Sequence, residues 1–586
     1  MQKNLRPLYP YLWKYRGTLA IGALTVLLTN GIWVLFPQVI QRATDALNGH
    51  ITRNQLLKYC LLMVAIAFSK GIFQFLTRWL VIGVSREIEY DLRNDLFRHL
   101  EGLSYSYYQK TRTGDIMARA TNDLNAVRML LGPAIMYSAN TLVMTAAALI
   151  FMWKTSPRLT LYAFLPLPLI SIVIQYFGRR IHERFERIQA QFSDISARTQ
   201  ENFSGARLIR AYVQEEAEIA RFEQSNQEYV LRTLPLARLM GMLWPSLEVM
   251  LGLAIVLVLW LGGREVLLHR ITVGQFIAFN TYMLLLTWPI IAMGWVINIF
   301  QRGTASLGRI NEILVARPEI TDAEAKPDLA ASGDSRELMA GEIELRNLNF
   351  GYNGVPVLHE INLTIPAGSS LAIVGPTGSG KTTLVSLIPR IYDAPAGALL
   401  LDGRPIREYP LEMLRRNIGF VPQETFLFSD TVRGNIAFGA ENATDEEVRA
   451  AAEAANIAAD IEGFPAQYET IVGERGITLS GGQKQRTAIA RAIIRNPRIL
   501  ILDDALSSVD TYTEERILNH LRQIMRGRTT IFISHRVSTV RAADKIAVLH
   551  QGRIVEVGTH DELLARNGYY TDLYNKQLLE EELANV

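Results

Sequence analysis

The stretch Ser370-Leu-Ala-Ile-Val-Gly-Pro-Thr-Gly-Ser-Gly-Lys-Thr-Thr383 decides the fold of the second half of the chain. Its apolar start predicts a buried strand, and the run from Gly375 to Thr382 matches the pattern G-x-x-x-x-G-K-[ST] in full. Glycines in such a loop let backbone N–H groups close around phosphates at the start of a helix. Lys381 is expected to reach the terminal phosphates, and the Thr382 hydroxyl to bind Mg²⁺. A glycine-rich turn without a ligand is the alternative, but the full match favours a nucleoside triphosphate site in an α/β domain.

A second apolar run, Arg498-Ile-Leu-Ile-Leu-Asp-Asp-Ala-Leu-Ser-Ser-Val-Asp510, ends in two adjacent carboxylates. It follows Pro497 and is typical of a buried parallel strand, which in the simplest interpretation just meets solvent at Asp503. A phosphate loop, however, needs a second support for Mg²⁺ from an acid at the end of a neighbouring strand. We therefore predict that Asp503 binds Mg²⁺ and that Asp504 orients or deprotonates the attacking water.

The first 300 residues have the pattern of a membrane protein. Six apolar segments each reach the roughly 20 residues that a helix needs to cross a bilayer. They lie at about 17–40, 57–83, 129–153, 158–178, 239–262 and 274–300. The chain has 60 basic and 57 acidic residues among its 586, a balance that gives no argument for a nucleic-acid partner. Its single cysteine, Cys60, excludes an intrachain disulfide and a cysteine-rich metal site.

The loops between the predicted spans indicate the orientation. The second-to-third and fourth-to-fifth connections are long and rich in arginine, which places them in the cytoplasm together with both termini. This predicts a multi-pass protein of the cytoplasmic (inner) membrane. The chain turns back within these connections near 107–116 and 205–216. Each turn is either an ordinary helix–loop–helix tip or a docking surface for the part of the chain that follows.

Lys70 and Glu248 are ionisable side chains inside the second and fifth predicted spans. Such residues are rare in membranes and mark functional sites by default, so both are candidates for a substrate cavity. The polar residues that could join them are Asn140, Gln175, Asn280 and Asn298. The alternative for all of them is an interhelical contact that holds the bundle together.

The domain limits follow from a change in composition. Residues 316–340 are rich in Pro, Asp, Glu, Ala, Ser and Gly with little periodicity, which is typical of a linker. We predict a transmembrane domain over 1–315, this linker, and the α/β domain over 341–586.

A further motif, Leu479-Ser-Gly-Gly-Gln483, precedes a clear helical pattern. With the phosphate loop and the strand that ends at Asp503, it resembles the signature of an ATP-binding cassette. The whole chain resembles an ABC exporter half-transporter of the multidrug or lipid type, with six spans in the type I exporter fold followed by one cassette. The resemblance implies ATP and Mg²⁺ as cofactors, ATP hydrolysis coupled to export of hydrophobic or amphipathic compounds, and assembly with a second half-transporter. An ATP-gated channel or regulatory membrane protein is a rival, although no regulatory domain is recognisable.

The resemblance also implies roles for individual residues. Tyr352 would stack on adenine, Gln423 would contact Mg²⁺ and the attacking water, and His535 would hold the γ-phosphate. The remaining nucleotide contacts would come from the phosphate loop: Gly375, Pro376, Thr377, Gly378, Ser379, Gly380, Lys381, Thr382 and Thr383. The signature Leu479, Ser480, Gly481, Gly482 and Gln483 would bind the ATP of the partner subunit, and Ser507 and Asp510 would cross to the other cassette. The coupling residues would be Gly114, Asp115 and Tyr212, within the contact stretches 114–117 and 208–213, together with Glu474 just before the signature.

Asp504 is one departure from the family pattern, which usually has glutamate directly after the Mg²⁺ aspartate. Aspartate is one methylene shorter, and a misplacement near 1 Å can lower a rate about a hundredfold. In the family, such a change resembles the degenerate-site subunit of a heterodimeric exporter, so we expect a heterodimer. A homodimer with two slow sites is the alternative.

Overall fold

The computed structural model of the chain describes residues 5–49, 51–326, 339–473, 476, 478–506, 517, 520, 523–534 and 536–584. The chain forms two compact units. The first consists of Met1–Leu100 with Gly114–Val315, and the second of Glu101–Thr113 with Ala316–Val586. The short segment Glu101–Thr113 thus groups with the second unit, whereas the sequence prediction placed it in the transmembrane domain.

The first unit is helical throughout its described elements. Its α-helices are Tyr9–Lys14, Arg16–Val34, Phe36–Asn48, Arg53–Glu101, Thr113–Ala118, Leu124–Met129, Ile135–Thr155, Pro157–Phe164, Leu167–Ser204, Ala206–Ala211, Glu215–Leu267 and Val273–Val315. A 3₁₀ turn at Arg6–Leu8 precedes them, and π-helical turns occur at Arg119–Asp123 and Leu130–Ala134.

Five helical stretches of the described chain are long and apolar enough to cross a membrane, judged by length and composition. They are Arg16–Asn48, Arg53–Glu101, Thr113–Thr155, Glu215–Leu267 and Val273–Val315, and they contain five of the six predicted spans. The predicted span 158–178 is instead divided between Pro157–Phe164 and Leu167–Ser204. Pro166 lies at this break, where its ring and its missing N–H interrupt helical hydrogen bonding. The count of six spans therefore stays a prediction.

The surface of the long helices is unusually apolar. Phe68, for example, is 71% exposed and Trp260 76%. Contiguous apolar surface of this kind marks contact with a membrane or another protein, and hydrocarbon chains of a bilayer satisfy it.

The second unit is an α/β domain with two sheets. Its strands are β1 Ile343–Tyr352, β2 Val355–Ile365, β3 Ser370–Val374, β4 Leu399–Leu401, β5 Arg404–Pro405, β6 Ile418–Val421, β7 Ile499–Asp503, β8 Thr529–Ile533, β9 Lys545–His550 and β10 Arg553–Gly558. Its α-helices are Tyr105–Lys110, Lys381–Leu387, Leu411–Arg416, Val432–Ala437, Asp445–Ala454, Ala458–Glu462, Gly481–Ile494, Val537–Val540, His560–Arg566 and Tyr569–Ala584, with 3₁₀ turns at Ile406–Glu408 and Gln467–Glu469. The strand order is β2-β1-β4-β5 in one sheet and β10-β9-β3-β8-β7-β6 in the other.

The larger sheet brings the phosphate loop and the acidic strand end to one edge. Strand β8 lies between β3 and β7 and pairs in parallel with both, so that Ile533 is level with Ile373 on one side and with Asp503 on the other. The expectation that Asp503 ends a strand neighbouring β3 was wrong by one strand. Asp503 nevertheless lies near the phosphate loop, because the carboxyl ends of parallel strands face the same crevice.

Strand β7 is buried on both faces. Leu500 and Leu502 pack in one hydrophobic cluster, and Ile499 and Ile501 pack in another. This two-sided burial explains why the strand is apolar at every position and not at alternate ones.

Candidate nucleotide site and membrane cavities

The phosphate loop follows β3 and takes a shape that requires glycine at two positions. Gly375 has φ +152°, and a Cβ there would lie 2.1 Å from the carbonyl oxygen of Leu549. Gly380 has φ +102°, and its Cβ would lie 2.8 Å from Leu358. L side chains are not tolerated at these two positions, so the loop backbone carries no side chain there that would block a ligand.

Lys381 begins the helix after the loop and is bound to the loop itself. Its Nζ donates hydrogen bonds to the carbonyl oxygens of Gly375, at 2.8 Å, and of Pro376, at 3.0 Å. Burial of the ammonium group lowers the pKa of Lys381. Carbonyl oxygens only partly compensate this burial, so phosphate oxygens are the stronger partners for this cation.

Thr382 and Asp503 come together as the sequence predicts. The Thr382 hydroxyl donates to Oδ1 of Asp503 at 3.3 Å. Asp503 is 1% exposed, and its Oδ2 is buried without a hydrogen-bond partner among the described residues. Burial raises the pKa of the Asp503 carboxyl to about 6.

These groups fit Mg²⁺. The ion binds proteins through one or two carboxylates together with hydroxyl groups and substrate phosphates, and a buried carboxylate oxygen without a partner is a suitable ligand. The described part of the chain has no cluster of three or more His, Cys, Asp or Glu that would hold an ion by itself. The two residues line a cavity of about 200 Å³, with Lys381, Gln423 and Asp504 at its other walls.

The backbone at Asp504 is left-handed, with φ +49°. Its N–H donates to the carbonyl oxygen of Ile533 at 3.1 Å, and its carbonyl oxygen accepts from the Gln485 side chain at 3.4 Å. Among non-glycine residues, aspartate and asparagine adopt this conformation most readily. The Asp504 carboxylate therefore projects from a turn that suits its residue type.

Tyr352 ends β1 and is held in an aromatic cluster. Its hydroxyl donates to the Thr383 hydroxyl at 3.1 Å, and its ring lies edge-on to Tyr392 at 5.1 Å between centroids. Tyr392 in turn contacts the ring of Tyr105 at 6.0 Å. The sequence prediction missed Tyr105 and Tyr392. The density of aromatic residues around 105–108 was the only signal for Tyr105, and the sequence near Tyr392 offered none.

The segment Glu101–Thr113 is fixed to the second unit by polar contacts as well. The hydroxyl of Ser106 donates to the carboxylate of Glu319, which lies just after the last long helix. Gly114 and Asp115, the predicted coupling residues, are exposed at the start of the helix Thr113–Ala118. The other coupling residue, Tyr212, is 70% exposed at the tip that follows the helix Ala206–Ala211.

The signature motif forms the start of the helix Gly481–Ile494. The hydroxyl of Ser480 accepts from the Gln483 N–H at 3.3 Å, and the Gln483 side chain accepts from the Ser480 N–H at 3.0 Å, which completes a capping box. Gln483 also donates to Asp460 at 3.0 Å. Leu479 is buried, while Ser480 and Gly481 are exposed. Gly481, exposed and without a side chain, leaves the backbone of the helix start accessible to a phosphate.

Four predicted site residues lie outside the described residues: Glu474, Ser507, Asp510 and His535. Their roles stay predictions.

Lys70 and Glu248 line two different cavities of the first unit. Lys70 borders one of about 380 Å³, together with Asn140. Glu248 borders an apolar one of about 210 Å³, beside Trp244. The sequence suggested one cavity that both residues could share, but the structure places them in two separate cavities. Gln175, Asn280 and Asn298 line neither of these two cavities.

Comparison with known proteins gives matches over nearly the whole chain. Residues 19–290 match the family model described as ABC transporter transmembrane region, and residues 358–507 match the model described as ABC transporter.

The chain is 38% identical over 568 residues to a probable multidrug resistance ABC transporter ATP-binding/permease protein of Bacillus subtilis, covering 96% of this chain and 95% of that protein. It is 36% identical over 570 residues to an ATP-dependent lipid A-core flippase of Syntrophus aciditrophicus, covering 96% and 93%. The solved structure of a bacterial Atm1-family ABC exporter with ATP bound is similar with a TM-score of 0.77 at 29% identity, covering 96% of this chain and 98% of that one.

Proposed function

We propose that this chain, which belongs to the ABC transporter family, exports hydrophobic or amphipathic compounds across the cytoplasmic membrane. The chain is an ATP-hydrolysing membrane transporter. The predicted family, the predicted fold class and the predicted ATP hydrolysis are confirmed. The names of its relatives, which include multidrug resistance proteins and a lipid flippase, support the class of substrate. The observation that carries the proposal is the Thr382–Asp503 site, in a chain whose first half consists of long apolar helices.

In the proposed cycle, Lys381 leaves the carbonyl oxygens of its own loop and binds the terminal phosphates of ATP. Thr382 and Asp503 would hold Mg²⁺, with Gln423 at the cavity wall, and the bound ion would neutralise charge on the phosphates. Asp504 orients the attacking water. His535 holds the γ-phosphate, as the family resemblance implies.

The subunit works in a dimer, and we favour a heterodimer. The exposed Ser480 and Gly481 are suited to bind ATP held by the phosphate loop of a second cassette. Asp504, with its shorter side chain, makes this chain's own phosphate-loop site the slower of two. Its intact signature completes the faster site of the partner.

ATP binding then controls the membrane helices through the turn-back regions, which carry Gly114, Asp115 and Tyr212, with Glu474 as the coupling residue of the cassette. Both termini and the cassette lie in the cytoplasm. A ligand shifts such a two-state equilibrium only by its different affinity for the two states, and ATP supplies this difference by joining two cassettes.

The test is ATP-driven uptake of hydrophobic fluorescent dyes into inside-out membrane vesicles that contain the full-length chain. Uptake against a gradient is expected with wild-type protein and is expected to disappear in Lys381→Ala. Ion currents in planar bilayers without dye accumulation would overturn the export proposal.

Co-purification from native membranes tests the assembly. A second, similar cassette protein with glutamate at the position of Asp504 is expected to accompany this chain. Recovery of this chain paired only with itself would contradict the heterodimer.

A further inference from the structure

The cavity of about 380 Å³ beside Lys70 is lined by residues of four helices, namely Arg16–Val34, Arg53–Glu101, Ile135–Thr155 and Val273–Val315. One wall is a polar network that is satisfied internally. Asn30 donates to Asn140 at 2.6 Å, and the buried Thr77 hydroxyl donates to Thr25 at 3.0 Å. These side chains hold the helices together, as interhelical hydrogen bonds do in membranes.

The charges on the cavity wall are not compensated in this way. Lys70 and Arg78 are its charged lining residues, and no acid is among those that line it. Neither cation forms an ion pair with an acid among the described residues. Farther along the same helix, in contrast, Arg86 and Arg93 both pair with Glu89, at 3.0 and 2.7 Å.

The Lys70 ammonium group does have one favourable neighbour. Its Nζ lies 4.2 Å from the centroid of the Trp33 ring. A cation–π contact compensates only part of the solvation that an ammonium group loses in a membrane. The site therefore still favours an anion.

Lys70 is also too deep to reach the lipid headgroups. It stands at the centre of the predicted span 57–83, with 13 residues on either side. At the helical rise this is about 20 Å to each end, far beyond the length of a lysine side chain. An interfacial role of Lys70 as a headgroup anchor is thus excluded by distance.

The rest of the wall is suited to an apolar body. Trp33, Tyr137, Met144 and Trp288 border the cavity next to the cations. We propose that this cavity binds amphipathic anions, with the acidic group of the ligand at Lys70 and Arg78 and its apolar part against these side chains. The proposal rests on the proposed export function and names a substrate class for it: compounds of net negative charge, in which a phosphate or carboxylate without a cationic group of its own is joined to an apolar body.

The experiment uses the full-length transporter in proteoliposomes, with two fluorescent lipids that have identical acyl chains. One is an acyl-labelled phosphatidylglycerol, which is anionic, and the other the corresponding phosphatidylcholine, which is zwitterionic. Wild-type protein is expected to move the anionic lipid faster with ATP, by about tenfold, the effect of one charge-assisted hydrogen bond. Inorganic phosphate is the third probe, and it is expected not to compete, because it lacks the apolar part.

Two variants separate the charge from the fold. Lys70→Met is expected to abolish the preference for the anionic lipid while movement of the zwitterionic lipid persists, and Lys70→Arg is expected to retain the preference. Lys58→Met, on the same helix but not lining the cavity, is the matched control and is expected to behave as wild-type.

Equal rates for the two lipids in wild-type protein, or an unchanged preference in Lys70→Met, would overturn the assignment. Competition by inorganic phosphate would overturn the amphipathic part of it. Failure of the export function has a different signature, since wild-type protein would then move neither lipid nor any dye with ATP.

Discussion

The hydroxyl of Thr382 donates a hydrogen bond to Asp503 over 3.3 Å, although 121 positions separate the two residues in the chain. The contact joins the end of the phosphate loop to the end of β7, with β8 between the two strands. It leaves the second carboxylate oxygen of Asp503 buried without a partner among the described residues. The domain thus keeps a costly buried group at the point where a cation would compensate it.

Asp503→Asn is expected to raise the melting temperature of the nucleotide-free protein, because an amide is less costly to bury than a carboxylate whose Oδ2 has no hydrogen-bond partner among the described residues. The same change is expected to remove most of the additional stabilisation by Mg²⁺ and ATP, and with it ATP hydrolysis. Thermal unfolding with and without Mg²⁺-ATP measures both effects. Asp572→Asn makes the same substitution at an exposed position and serves as the control. A lower melting temperature without nucleotide, together with an unchanged Mg²⁺-ATP shift, would contradict the prediction.

Asp504→Glu is expected to act on rate and stability in opposite directions. The longer side chain brings the carboxylate closer to the attacking water, so ATP hydrolysis should rise by about tenfold or more. The left-handed backbone at φ +49° disfavours glutamate relative to aspartate, with a cost of about 1 kcal/mol. Steady-state hydrolysis and thermal unfolding of the purified chain test the two parts.

Asp504→Asn is the companion variant, since asparagine tolerates the same backbone but cannot act on the water. It should keep the stability and lose the residual hydrolysis. If the glutamate variant were no faster than wild-type, the short side chain would not be what limits this site.

Tyr392→Ala is expected to weaken ATP binding although Tyr392 is not predicted to touch the nucleotide. Its ring holds Tyr352 edge-on at 5.1 Å, and such aromatic pairs contribute about 0.5–1.5 kcal/mol. Loss of this support should raise the Kd for ATP by roughly 2- to 10-fold. Tyr392→Phe retains the ring and should bind like wild-type. Equilibrium binding of a fluorescent ATP analogue without Mg²⁺ avoids hydrolysis, and equal affinities of the alanine variant and wild-type would refute the role.

The sequence alone was enough to predict those parts of the fold and site that a short contiguous run of residues determines. Strand β7 was predictable because both its faces are buried, which makes every position apolar up to Asp503. The phosphate loop was predictable because its glycines and the Lys-Thr pair after them form one contiguous motif, in which Gly375 and Gly380 have positive φ. Neither inference needed knowledge of a distant residue.

The rest depends on contacts between residues far apart in the chain. Tyr105 meets Tyr392 across 287 positions, and nothing near either residue indicates the other. Lys70 and Glu248 were alike as ionisable residues in apolar helices, but side-chain packing places them in separate cavities. The predicted span at 158–178 failed to appear as one helix, because apolar composition does not register the break at Pro166.

Val213 offers a test of coupling at the tip after the helix Ala206–Ala211. It is 80% exposed and has φ +53°, a conformation that β-branched residues avoid. Backbone strain of this kind persists mainly at functional positions, and an exposed apolar side chain there is suited to docking. Val213→Asn should relieve about 1 kcal/mol of strain, because asparagine accepts the left-handed backbone, and should raise the melting temperature. It should also reduce dye transport while ATP hydrolysis continues, because the apolar contact is lost.

Val230→Asn changes an exposed valine within the regular helix Glu215–Leu267 and is the control for the loss of an apolar surface side chain. It should change neither the melting temperature nor dye transport. Transport at the wild-type level in a stabilised Val213→Asn protein would show that the side chain does not take part in coupling.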